Sequence, residues 1–210
     1  MPLPDFLKDR YKDWNKNDFP RTQKLYKNLK DNGQNPKSVV ISCCDSRVHV
    51  NNIFKSQIGE FFIHRNIANL VPLTDSTDLN VGTISTIEYG IETLDIPNII
   101  ILGHSNCGGI KYAYEKFLSE NKHQETFIDK WIETIRPAYQ ILDKKQSYEN
   151  QIISLEKLSI INSIKNLVQY SKINKLILEK KIKIHGLWFE IGKGNLMDYN
   201  FNNNKFESII

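Results

Sequence analysis

The chain contains no long apolar run. None of its hydrophobic stretches approaches the ~20 residues that cross a bilayer, and the opening MPLPDFLKDRYKDW has neither an apolar signal core nor a basic start. A cytoplasmic protein without a membrane anchor is the expectation. Cysteine is scarce, with three in 210 residues, and the count is odd. In a reducing compartment that excludes a disulfide framework, which leaves each thiol as a buried hydrophobe, a reactive group or a metal ligand. Charge of one sign is also lacking: the formal net charge is only +4, and the lysines are scattered through helical stretches such as KLYKNLKDNGQ and KLILEKKIK. These read as solvated faces, so no nucleic-acid partner is expected. Arginine occurs five times, and two of the five, Arg47 and Arg65, lie in the least ordinary segments of the chain.

What is present suits a folded α/β protein. Hydrophobic residues make up 40% and charged residues 25%, and 210 residues bury one substantial core, so one domain spanning 1–210 is expected. SVVIS (38–42), FFIH (61–64), NIIIL (98–102) and KIKIHGLWF (181–189) are short β-branched or aromatic runs that suit parallel strands buried on both faces. Between the second and third, residues 80–95 place Val81, Ile84, Ile87, Ile91 and Leu94 on one helical face, a βαβ pattern. Residues 5–32 read as one or two polar-faced helices, 108–120 open another, SENKHQET is a polar loop, and 127–180 are mainly helical. The tail YNFNNNKFESII is compatible with a biased disordered end or with an edge strand.

Two segments carry chemistry. VVISCCDSRVHV (39–50) and IIILGHSNCGG (99–109) share one grammar: an apolar strand, then polar and sulfur-bearing residues where the strand ends. In an open parallel sheet functional groups gather at the carboxyl ends of strands, so Cys43 to Arg47 and His104 to Cys107 can converge there. His104 and Cys107, three apart, reach one ion from a tight turn, and Gly108 and Gly109 allow close backbone approach. Two thiolates and an imidazole suit Zn²⁺, and three protein ligands leave a fourth position for water, the mark of a catalytic zinc. Successive side chains of an extended segment point to opposite faces, so of Cys43 and Cys44 one is a ligand and the other core. A buried cysteine is most often a small hydrophobe, and that reading is kept for Cys44. His49, His64, His123 and His185 have no comparable ligand spacing and read as surface or hydrogen-bonded core histidines.

CCDSRV fits the C-x-D-S-R motif and GHSNCGG the G-H-x-x-C-G-G motif of the β-class carbonic anhydrases, and HRNIANLVP is similar to the segment that family has between them. The resemblance is specific from about Gly33 to Lys111 and weaker toward KIHGLWF. It implies a parallel four-stranded sheet flanked by helices, with or without an added edge strand, an N-terminal helical arm (1–32) that embraces a second subunit, and a zinc-binding core (33–210). It also implies homodimers that can pair further. The zinc ligands it implies are Cys43, His104 and Cys107, with Cys44 at the variable position. Asp45 and Arg47 match the catalytic pair, in which the arginine holds the aspartate and the aspartate orients the zinc hydroxide that attacks CO2 to give bicarbonate. Gln34, Phe62, Ile67 and Tyr89 match the substrate pocket, which in the family lies at the dimer interface. The chain departs from the pattern at Val40, where one branch of the family has a tryptophan that helps hold an inhibitory bicarbonate beside an arginine matched by Arg65. Other readings of these residues are hydrolysis of carbonyl sulfide or carbon disulfide on the same site, a redox protein working through Cys43 and Cys44, or a non-catalytic zinc module.

Overall fold

A computed structural model describes residues 1–73, 81–119 and 126–210. His123 and most of SENKHQET lie outside the described residues. The chain begins with two helices, α1 (Asp5–Asn17) and α2 (Phe19–Asn32), neither of which buries a residue completely. Their contacts are mutual: Trp14 and Phe19 pack 5.3 Å apart and Phe19 and Tyr26 5.6 Å apart, ring centre to ring centre. Phe6, Tyr11, Trp14 and Tyr26 remain exposed in the single chain.

Beyond this arm the elements run β1 (Ser38–Cys43), α3 (Val50–Ile53), β2 (Phe61–Asn66), a 3-10 turn (Ile67–Asn69), α4 (Val81–Glu92), β3 (Asn98–His104) and α5 (Gly108–Ser119). Then come α6 (Phe127–Ile132), a second 3-10 turn (Glu133–Ile135), α7 (Arg136–Gln140), α8 (Tyr148–Gln169), α9 (Ser171–Leu178), β4 (Lys183–Glu190), β5 (Asn195–Asn200) and β6 (Lys205–Ser208). Among the described residues one sheet holds six strands in the order β2-β1-β3-β4-β5-β6. Its first four strands are mutually parallel, as expected. β1 and β3 occupy the middle, and every residue of β1 is buried, which is why their sequences are almost continuously apolar rather than alternating.

The tail is an edge hairpin: β5 pairs antiparallel with β4, and β6 with β5. Tyr199 anchors it, buried between Phe201 and Phe206 at ring distances of 5.0 and 5.2 Å. The helix expected to run to residue 95 ends at Glu92, because Asp95 takes a left-handed φ of 52° and turns the chain into β3.

Helix α8 lies unusually close to the sheet. A Cβ at Gly103 of β3 would stand 2.7 Å from Ile160 Cδ1, and one at Gly186 of β4 would stand 2.8 Å from Ile164 Cδ1. The two glycines therefore create the groove that the isoleucines of α8 fill. Ile160 sits one turn beyond Glu156, so the same docking delivers Glu156 to the carboxyl end of β3.

Candidate metal centre

Parallel pairing puts the ends of β1 and β3 side by side, with Ser42 opposite Leu102. Cys43, the last residue of β1, thus meets His104, the last of β3, and Cys107, which precedes α5. The thiol and imidazole donors of the three lie within 4.8 Å of one another, and the residues are 4%, 1% and 1% exposed. Cys43 Sγ and Cys107 Sγ are 3.8 Å apart. The His104 ring donates from Nδ1 to the Ser105 carbonyl at 2.9 Å, which turns the Nε2 lone pair toward the thiols. Among the described residues, Nε2 itself is buried without a hydrogen-bond partner. An orphaned imidazole nitrogen beside two thiols is a donor set that fits zinc, and its missing partner is what an ion would supply.

The three groups perturb one another. The hydrogen bond with the Cys107 thiol lowers the Cys43 thiol and outweighs burial, which on its own raises it. Cys107 keeps the proton and is pushed up by that same bond and by burial. Burial pulls His104 down, but the Cys43 thiolate and the Ser105 carbonyl more than offset it, and its net shift is upward.

Asp45 stands at the rim, with Oδ2 3.9 Å from His104 Nε2. Arg47 grips it twice, Nε to Oδ1 at 2.9 Å and Nη2 to Oδ2 at 2.7 Å, and the Arg47 amide also donates to Oδ1 at 3.0 Å. These bonds hold the carboxyl well below the usual carboxylate range despite partial burial. Arg47 Nη2 further donates to the Asn106 carbonyl at 3.0 Å, tying the loop after β1 to the loop after β3.

Cys44 is exposed, which corrects the expectation of a core thiol. β1 stops at Cys43, so strand alternation ends there; the Cys44 amide donates to the Asn66 carbonyl at 3.0 Å. Cys44, His64, Arg65, Ile67 and Trp131 line a cavity of about 560 Å³. His64 is held between the hydroxyls of Thr83 and Thr86, at 3.1 and 3.2 Å. Arg65 donates to the carbonyls of Cys43, Asp45 and Val48 at 2.8, 2.7 and 3.0 Å. It is a strut for the β1 loop, and Val40 is fully buried in an apolar cluster with Val48 and Leu102.

Of the four pocket candidates, only Ile67 reaches this end of the molecule. It opens the turn after β2, 39% exposed, with its carbonyl accepting from Trp131 Nε1 at 2.8 Å. Phe62 and Tyr89 stack on each other with centroids 5.8 Å apart. Phe62 pairs with Val39, four residues before the Cys43–Asn66 pair, about 13 Å down the strand at ~3.3 Å per residue. Gln34 sits exposed between α2 and β1. Within one chain these three are not brought to the donor cluster.

Sequence reading passed over Glu156. It is 2% exposed, its Oε1 accepts from the Cys107 amide at 3.1 Å, and its Oε2 accepts from Trp188 Nε1 at 3.1 Å. Burial pushes this carboxyl up, against the two N–H bonds that hold it down. Its signal was a charge inside the buried face of α8, among Ile152, Leu155, Ser159 and Ile160.

A family model described as carbonic anhydrase matches residues 38–196. Beta carbonic anhydrase 3 of Arabidopsis thaliana is 36% identical over 194 residues, covering 90% of this chain and 73% of that protein. The solved structure of the β-carbonic anhydrase CcaA superimposes with a TM-score of 0.88 at 26% identity, covering 97% of this chain and 98% of that one. A tetrameric β-carbonic anhydrase of Sordaria macrospora gives a TM-score of 0.78 at 28% identity over 92% of this chain and 94% of its own. With a match over residues 38–196, that identity and that sheet, the chain belongs to the β-class carbonic anhydrase family.

Proposed function

We propose that this chain catalyses the reversible hydration of CO2 to bicarbonate and a proton, with one zinc ion held by Cys43, His104 and Cys107. The observation that carries the reading is the orphaned Nε2 of His104 between two buried thiols, overlooked by an Arg47-locked carboxylate, in a member of this family. Bound zinc supplies Lewis acidity that lowers the pKa of water into the neutral range.

Asp45 is assigned as the acceptor that orients the attacking water. Ionised and holding no proton of its own, it can only accept, so Oδ2 takes a hydrogen of the water and turns the oxygen lone pair toward carbon. Arg47 keeps Asp45 off the donor cluster and in one rotamer. Ile67 contributes an apolar wall suited to a small uncharged gas. Gln34, Phe62 and Tyr89 are assigned to the substrate wall of a homodimer, one subunit's residues facing the neighbour's donor cluster. Support comes from their distance from the cluster within one chain, from the exposed aromatic arm, and from the tetrameric relative.

The reading treats 33–210 as the catalytic unit and 1–32 as the arm. No described helix is long and apolar enough to cross a membrane, and cysteines outside any disulfide suit a reducing compartment such as the cytoplasm. Stopped-flow hydration of CO2 with a pH indicator tests the function directly. Zinc-loaded protein at one ion per chain that leaves the rate at the buffer value sinks it.

A further inference from the structure

The peptide joining Asn106 to Cys107 is gripped from both sides, by a guanidinium and by a carboxyl group. Its carbonyl, on Asn106, accepts from Arg47 Nη2 at 3.0 Å, and its N–H, on Cys107, donates to Glu156 Oε1 at 3.1 Å. A trans peptide is planar with its C=O and N–H pointing in opposite directions, so holding both ends sets the plane. The plane needs holding: Asn106 has a left-handed φ of 54°, a conformation that persists where surrounding contacts enforce it. The next bonds outward are the Cα–Cβ and Cβ–Sγ bonds of Cys107.

We infer that Glu156 is a positioning residue for the metal centre, acting through the Cys107 amide to aim the Cys107 thiol at the site shared with Cys43 and His104. Its own position is over-determined. The glycines at 103 and 186 let α8 sit down on the sheet, and the Trp188 indole on β4 holds the second oxygen at 3.1 Å. A carboxylate is required because both neighbours are donors. A glutamine has one accepting oxygen and one NH2, so at 156, a residue 2% exposed, it sets an N–H against an N–H on one side.

The inference rests on reading the cluster as a zinc site, and its test reads metal binding rather than turnover. Zinc affinity is measured by chelator competition, and the absorption of the cobalt-substituted protein reports the thiolate geometry. Glu156→Gln is expected to weaken zinc binding by about 10- to 100-fold and to shift the cobalt bands. Adding Trp188→Phe removes the second donor, frees the glutamine oxygen for Cys107, and is expected to restore most of the affinity. Glu156→Leu offers no acceptor and is expected to stay weak in either background, which also provides the comparison should Glu156→Gln alone not fold. Parent-like affinity and spectrum in Glu156→Gln overturn the inference, even if the metal-free variant melts earlier, since that pattern belongs to a purely structural residue. Equal affinity in the glutamine and leucine forms of the Trp188→Phe background overturns it as well. A parent protein that binds zinc but does not hydrate CO2 defeats the proposed function and leaves this comparison standing.

Discussion

Cys43 and Cys44 are adjacent and chemically identical, yet their surroundings differ completely. Cys43 ends a buried strand within 3.8 Å of Cys107, whereas Cys44 opens onto solvent. Structural zinc sites bind with about 10–16 kcal/mol, so losing one of three protein donors removes several kcal/mol, two or more powers of ten in affinity. Cys43→Ala is therefore expected to lose zinc and activity, and Cys44→Ala to keep most of both. Atomic absorption decides it: equal metal loss in the two variants means the register is wrong. Asp45 makes a pH prediction whose sign follows from its depressed pKa. Such a group contributes stability above its unfolded pKa of ~3.9 and loses it as pH falls through the lower folded value. Between about pH 5 and 8 Asp45 stays ionised on Arg47, so Asp45→Asn is expected to slow hydration by at least about 100-fold at every pH in that window. Parent-like rates in that variant at alkaline pH remove Asp45 from the mechanism.

Helix α4 illustrates how an element is docked by what its residues omit. A Cβ at Gly90 would stand 2.5 Å from Val39 Cγ2, a fully buried β-branched side chain on β1 whose χ1 is restricted. Gly90→Ala is expected to destabilise by about 1–3 kcal/mol, because overpacking outweighs the gain of up to about 1 kcal/mol in helix propensity. Gly82, in the same helix, has among the described residues only His64 Cε1, at 4.0 Å from its virtual Cβ. Gly82→Ala is expected to be neutral or slightly stabilising. Urea midpoints measure both, and a loss of the same size at both positions contradicts the packing account.

For the whole molecule, the described residues leave one edge of the sheet and the arm exposed. β2 is an end strand, Ile63 on it is 36% exposed, and Phe6 and Trp14 on the arm are 58% and 37% exposed. The proposed homodimer would cover these surfaces and bring Phe62 and Tyr89 of one subunit toward the neighbour's donor cluster. The chain is expected to sediment as a dimer or larger at micromolar concentration, and removal of residues 1–32 is expected to weaken assembly and activity together. Sedimentation equilibrium showing an active monomer defeats this.

The two chemical segments, the buried parallel strands before them and the arm were legible in local sequence. Each has a short-range signature: β-branched runs for β1 and β3, and sulfur, carboxylate and imidazole at the strand ends. Other features required the folded chain. Cys44 reads as core only while alternation continues, and where β1 stops depends on Asn66 of a neighbouring strand accepting its amide. The tail becomes a hairpin because β4 offers it an edge and Tyr199 something to bury against; NFNNN contains neither signal. Glu156 is 49 positions from Cys107 in the chain, and its role depends on α8 descending onto Gly103 and Gly186. Sequence by itself determined which groups are available for chemistry, because residue type sets donor, charge and reactivity. Tertiary structure decided which of them meet, because the contacts between loops after β1 and β3, and between those loops and α8, are made across the sheet rather than along the chain.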